Sequence, residues 1–408
     1  MLTEKKMNYL EWAGVTFIAL ACFCSVITTT GKTITTILFI LSWLLARGYK
    51  EFVPTLRRYP MALSAFALFI LYCVGISYSV GPMDEVLDRV KGMRGLLFPA
   101  MVIFFCRRQR KGVDWVVNAF LAAFVVLLIE TFFVYFGQIS RSYGWAGAYN
   151  SPIHPSFSSG MMALLFYVSC HRLKDSSILH RLFWGGVALL SFADIFYLQR
   201  SLTGMVVFFA LALLLLVQTL SWKKMFVGGL MLALSLVVLV QTSPKFMNQG
   251  RELYNTVTNY QEEISHGKFN NVSLRIAWQI NSLKLIAEAP FLGTGPASFP
   301  VVHGELIRGT RVPPMKGPHN AFLLVGVEAG LAGMALFIAA LLFAARASFT
   351  LESRYRLLLQ GVLLTFVVGS LCDSWLGGSS TGYLFTILVP ALLSSKKWQG
   401  EELAEDNV

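Results

Sequence analysis

Three residues of this 408-residue chain combine side-chain type and position in a way that could do chemistry: Arg200, Arg275 and His319. Two guanidinium groups can grip a diphosphate through paired hydrogen bonds and neutralise the charge that grows on it as it leaves. An imidazole, which titrates near neutrality, can take the proton of an attacking hydroxyl. Neither His303 nor His319 has an acidic cluster at ligand spacing, so no metal is expected, and no cofactor either. The chemistry that fits is a metal-independent group transfer from a phosphate-activated donor.

Each residue also carries a quieter reading. Arg200 sits in Leu198-Gln199-Arg200-Ser201-Leu202, a tight turn between two apolar runs. A charge there is costly to bury and marks function in a membrane, or it snorkels to a headgroup. Arg275 projects from Val272–Glu288, where Leu274, Ala277, Trp278 and Leu285 recur at helical spacing. Its alternative is a solvated helix face. His319 opens an apolar run in Pro318-His319-Asn320-Ala321. The first turn of a helix offers unpartnered N–H groups and a positive dipole end, which favour an anion and keep an imidazole neutral. The alternative there is that His319 or Asn320 simply caps the helix.

The elements that must position these groups are membrane helices. The chain is 55% hydrophobic and 14% charged, where a soluble globule has roughly a quarter of its residues charged. A bilayer core about 30 Å thick needs about 20 apolar residues per helix. Such runs fall at 11–29, 33–46, 61–79, 94–106, 113–137, 157–170, 182–198, 202–220, 224–241, 319–345, 357–373 and 380–394. An all-α integral membrane protein of about twelve spans follows: nine within 1–241, a large outer loop at 242–318, three within 319–394, and a tail at 395–408. Lys5-Lys6 precedes the first run, which has no convincing cleavage site and reads as a helix, not a signal peptide. Basic residues orient the bundle: Arg107, Arg108, Arg172, Lys174, Lys223, Lys224, Arg346, Arg354 and Arg356 lie in inner loops if both termini are cytoplasmic. The net charge of +12 is thereby spent on topology and anionic headgroups; nucleic acid is not an expected partner. Arg200, Arg275 and His319 then fall on the outer face. No nucleotide is available there, so the donor should be lipid-linked. The six cysteines lie in or at the edge of apolar runs and read as buried small residues.

Within the large loop, Phe246–Ser265 has the alternation of a surface helix, and Val272–Glu288 runs to Pro290 and the turn Gly293-Thr294-Gly295. Both helices are expected along the membrane surface. Weaker site candidates complete the reading. Arg89, Lys91 and Arg94 stand beside Asp84, Glu85 and Asp88, either as a second basic wall for phosphate or lipid A or as a charged interfacial helix. His154, in a loop stiffened by Pro152 and Pro155, and Asn320 could contact substrate. Among charges within spans, Asp194 lies about 9 Å of helix below Arg200 and could orient it. Glu328 lies about 13 Å below His319, too deep to touch it.

At these residues the sequence resembles a known family. His319-Asn320, nine residues, Gly330, two residues, Gly333 is similar to the histidine motif of O-antigen ligases. Arg275, Trp278, Pro290, Gly293-Thr294-Gly295 and Phe299 resemble the large periplasmic loop of the wider ligase/polymerase superfamily. The resemblance implies a glycosyltransferase C-like membrane enzyme of the Gram-negative inner membrane. It would move O-antigen polysaccharide from undecaprenyl diphosphate to the lipid A–core, with inversion. It further implies that Arg200 and Arg275 hold the diphosphate while His319 activates the acceptor hydroxyl. An O-antigen polymerase and a protein O-oligosaccharyltransferase share the donor chemistry. A lipid-linked oligosaccharide transporter is the non-enzyme alternative, disfavoured because no repeat is visible and the charge lies at one surface, not at the midplane.

Overall fold

The computed structural model describes residues 4–138, 155–174, 177–199, 201–242, 247–248, 250–256, 258–259, 267, 269–377 and 380–396. Arg200 and His154 lie outside these residues, as do 246, 249, 257 and 260–265 of the expected 246–265 helix, whose described residues are helical. The described residues form helices and no strand.

In chain order the helices are α1 (Glu4–Ile27), α2 (Thr29–Leu45), α3 (Phe52–Arg58), α4 (Pro60–Gly75), α5 (Met83–Met93), α6 (Phe98–Arg108), α7 (Lys111–Tyr135), α8 (Pro155–Arg172), α9 (Ile178–Ala193), α10 (Leu202–Thr219), α11 (Trp222–Thr242), α12 (Asn271–Glu288), α13 (Phe299–Leu306), α14 (Ala321–Ser348), α15 (Ser353–Cys372) and α16 (Thr381–Leu393). Each of the twelve apolar runs coincides with one of them. Six of the helices are long and apolar enough to cross a membrane. A seventh span is possible if Thr29–Leu45 and Gly48–Arg58, bent by 78°, are counted as one.

Two of the remaining helices, α8 and α16, are covered by their neighbours. Residues 382–393 of α16 are buried throughout, as expected of a helix that is apolar on every side. It packs against α6 and α15, with the Phe366 and Phe385 rings stacked 4.9 Å apart. In α8, Ser156, Ser158, Ser159 and Ser169 lower the hydropathy, yet all four are buried. This helix is enclosed by α9, α10 and α15. Leu179, Leu182, Phe226 and Leu342, by contrast, are exposed on the periphery, where a bilayer would solvate them.

Two local devices set the geometry of the site. Asn270 caps α12: its side chain accepts from Val272 N and Ser273 N, and Ser273 Oγ accepts from Asn270 N, a complete capping box. The buried face of α12, including Ala277, Trp278, Leu285 and Ile286, packs on α13 and α14. The second device is a break inside α14. Gly330 adopts φ 66°, ψ −167°, a region open essentially to glycine alone. The freed backbone groups are taken up by the Pro290–Gly295 loop, through Leu331 N to Pro290 O (2.7 Å), Thr294 N to Val327 O (2.9 Å) and Gly295 N to Glu328 O (3.0 Å). Irregular backbone inside a membrane protein needs such internal satisfaction.

Candidate active site

His319 stands one residue before the N-cap of α14, with a left-handed φ of 51°. Asn320 is the cap itself; its Oδ1 accepts from Phe322 N (3.0 Å) and Leu323 N (3.1 Å). The cap therefore occupies Asn320, and the histidine is left to point elsewhere. His319 Nδ1 lies 3.0 Å from Asp373 Oδ1, and the imidazole sits beside the Trp278 ring at 5.6 Å between centroids. Trp278 is fixed in turn by its indole N–H, which donates to Pro313 O (3.2 Å).

Asp373, which the sequence reading did not single out, joins this candidate site. It ends α15 and is anchored from three sides: Ser156 Oγ donates to Oδ2 (2.6 Å), Ser374 N donates to Oδ1 (2.8 Å), and His319 faces Oδ1. The pair is partly buried, with side-chain exposures of 20% for His319 and 15% for Asp373. A carboxylate bound to one imidazole nitrogen sets the tautomer and orients the ring, leaving the other nitrogen as the base. A lone acidic residue at the foot of an apolar helix, 54 positions after the histidine, was the available signal.

Arg275 reaches the same corner from α12. Its Nη1 donates to Cys372 O at 3.0 Å, so arginine and histidine are tied to consecutive residues, Cys372 and Asp373. The guanidinium is half-buried and has no carboxylate partner among the described residues. A guanidinium carries five donors, and a charge left without a counter-ion beside a base suits an anionic substrate.

The Arg200 side chain itself lies outside the described residues, but its chain neighbours belong to this corner. Thr203 lies beside the Cys372 thiol. Gln199 Nε2 donates to Asp194 Oδ2 (2.6 Å) and Ser158 Oγ (3.0 Å). The start of α8 thus meets both the Arg200 turn and Asp373. Cys372 is part of the site's scaffold, a use its reading as a packing residue did not suggest.

Arg89 and Arg94 are set apart from this corner. Arg89 Nε pairs with the fully buried Glu328 carboxylate at 3.1 Å; Glu328 also accepts from Tyr72 Oη (3.0 Å) and Ala297 N (3.0 Å). Glu328 therefore locks α4, α5 and the 297 turn onto α14. Arg94 lines a separate cavity. His154 lies outside the described residues. His303 is buried and stacked on Phe299 at 5.0 Å, and burial pushes its imidazole below the usual range, so it stays neutral. Among the described residues, no three His, Cys, Asp or Glu side chains gather as metal ligands.

Fold and site together define a multi-pass membrane protein with a histidine–carboxylate–arginine corner at one end of its helices. Residues 185–338 match the family model described as O-antigen ligase. Over that stretch the match supports a relationship to the O-antigen ligase/polymerase superfamily. The matched stretch holds Arg200, Arg275 and His319, while Asp373 falls after it. No curated protein matches the chain.

Proposed function

We propose that the protein is a metal-independent, inverting glycosyltransferase that moves O-antigen polysaccharide from undecaprenyl diphosphate to a sugar hydroxyl of the lipid A–core, at the periplasmic face of the inner membrane. The observation that carries this reading is the joint anchoring of Arg275 and His319 on Cys372 and Asp373. Arg275, with Arg200 from the adjoining turn, binds the diphosphate. Asp373 holds the Nδ1–H of His319, so the lone pair on Nε2 faces the acceptor. The acceptor oxygen forms a bond to the anomeric carbon as the bond from that carbon to the diphosphate oxygen breaks. The electron pair leaves on the diphosphate, where the guanidinium charge stabilises it. The hydroxyl proton passes to Nε2, and attack opposite the leaving group inverts the anomeric centre. The inner-loop basic residues orient the bundle with both termini in the cytoplasm.

The test is lipopolysaccharide analysis of cells lacking the chain. The expected result is a full glycan ladder retained on the lipid carrier and absent from lipid A–core. A single repeat unit on the core would identify a polymerase instead. An intact ladder with glycan missing from a surface protein would identify a protein glycosyltransferase. Unchanged glycan on every acceptor would remove the enzyme reading altogether.

A further inference from the structure

Away from His319 the described residues line a cavity of about 540 Å³ that holds several charged and hydroxyl side chains. Its walls are the first turns of α2, the end of α5 and the turn after it, the Leu376–Gly377 corner, and the start of α16. Its charged lining residues are Lys32, Asp88, Lys91 and Arg94. Asp88 is already paired with Lys91, at 3.1 Å. Lys32 is only 8% exposed, and neither it nor Arg94 has an ion pair among the described residues. The two cations are close enough to repel each other.

Such an arrangement is expensive for the protein alone. A buried ammonium without a counter-charge costs several kcal/mol, and a second cation in the same cavity adds to it. Hydroxyls complete the lining: Thr36 Oγ1 and Tyr383 Oη lie 2.6 Å apart, with Thr33 and Thr386 nearby. Two uncompensated cations among hydroxyl groups match the charge and the acceptor oxygens of a phosphate monoester. The mouth indicates what carries that phosphate. Ile37 lines the cavity and is itself 52% exposed, and Ile34, Leu38, Leu41, Leu44 and Leu45 continue an exposed apolar strip along α2.

We propose that this cavity binds the phosphate of a lipid headgroup, which enters sideways from the bilayer with its acyl chain along the apolar strip of α2. The site stands independently of the transfer reaction. The corner that walls it, Leu376–Gly377, follows Asp373 in the chain by three and four residues, so its occupant borders the loop that carries the dyad.

The experiment titrates the purified full chain, in neutral maltoside micelles, with dihexanoyl phosphatidic acid and follows heat by calorimetry. Saturable binding of one molecule is expected, weakened at least tenfold in Lys32→Met and in Arg94→Gln. Arg308→Gln, an exposed cation outside the cavity, should leave it unchanged. Dihexanoylglycerol, which lacks the phosphate, should not bind, and a hundredfold excess of inorganic phosphate should not displace the lipid. Arg94 is exposed, so its variant carries the test even if Lys32→Met disturbs folding. Without lipid, Lys32→Met should melt no lower than the unaltered chain, because it removes an uncompensated charge. Unsaturable uptake, equal binding in all variants, or ready displacement by inorganic phosphate would each overturn the proposal.

Discussion

At the scale of single residues, the proposed mechanism divides proton transfer, by His319 and Asp373, from charge stabilisation, by Arg275, and the two should fail differently. Asp373→Asn keeps the shape of the side chain and its contact with Ser156, but it no longer holds the imidazole in one tautomer as a carboxylate does. General-base catalysis contributes roughly 10²–10⁴-fold. Asp373→Asn and His319→Ala should each lower kcat by that order, with KM for the lipid-linked donor little changed, in a reconstituted transfer assay. Arg275→Lys keeps the charge but loses the planar fork. A charge-assisted hydrogen bond is worth about 1.5–3 kcal/mol, so kcat/KM for the donor should fall by roughly 10–100-fold. A kcat loss in Arg275→Lys with an unaltered pH profile, together with full activity of His319→Ala at neutral pH, would reverse the assignments. His319 and Arg275 were legible in the sequence because residue type and position already spoke: a histidine opening an apolar run, an arginine on an amphipathic helix. Asp373 was not, since its meaning comes from a contact across 54 residues that no local spacing encodes.

At the scale of elements, the periodicity of Val272–Glu288 foretold α12 to within one residue, and the capping box at Asn270 and Ser273 explains its sharp start. The apolar run over 319–345 was equally clear, but it read as one uninterrupted helix. Its break at Gly330 was hidden, because a glycine in an apolar stretch gives no sign of its φ, and the loop that fills the break lies about 35–40 residues upstream, at 290–295. The break is testable. A Cβ at Gly330 would overlap the Phe291 carbonyl as well as adopting a disallowed conformation, a strain of about 1–3 kcal/mol before any displacement of the loop. Gly330→Ala should therefore lower the melting temperature in detergent and reduce transfer, because the loop also carries the turn that binds Glu328 through Ala297 N. Gly304→Ala, where a Cβ meets nothing within 4 Å, should melt with the unaltered chain. Equal melting of both variants would show that the loop does not depend on the break.

At the scale of the whole molecule, three helices share one polarity with respect to the site. The N-terminal end of α8 supplies Ser156 to Asp373, and its other end carries Arg172, followed by Lys174. Helix α14 begins at the Asn320 cap and ends with Arg346 in its last turn. Helix α15 delivers Cys372 and Asp373 to the corner from a start that holds Arg354 and Arg356. At 1.5 Å per residue each runs roughly 27–42 Å, enough to cross a bilayer core. The basic starts and ends also meet one another, since Arg172, Lys174 and Arg354 line a common pocket. The sequence showed where the apolar runs and the basic loops lie, but not which runs are enclosed by others; α8 and α16 meet a bilayer's demands through their neighbours, which only packing reveals. On the proposed orientation, the positive-inside tendency predicts the basic ends in the cytoplasm and the His319 corner outside. With the native cysteines replaced, Lys316→Cys should react with a membrane-impermeant maleimide in spheroplasts, and Lys174→Cys should react only after the membrane is permeabilised. The two positions are both exposed, so reactivity reports sidedness and not burial. The opposite labelling pattern would turn the corner toward the cytoplasm, where a lipid-linked polysaccharide awaiting attachment on the outer face cannot reach it.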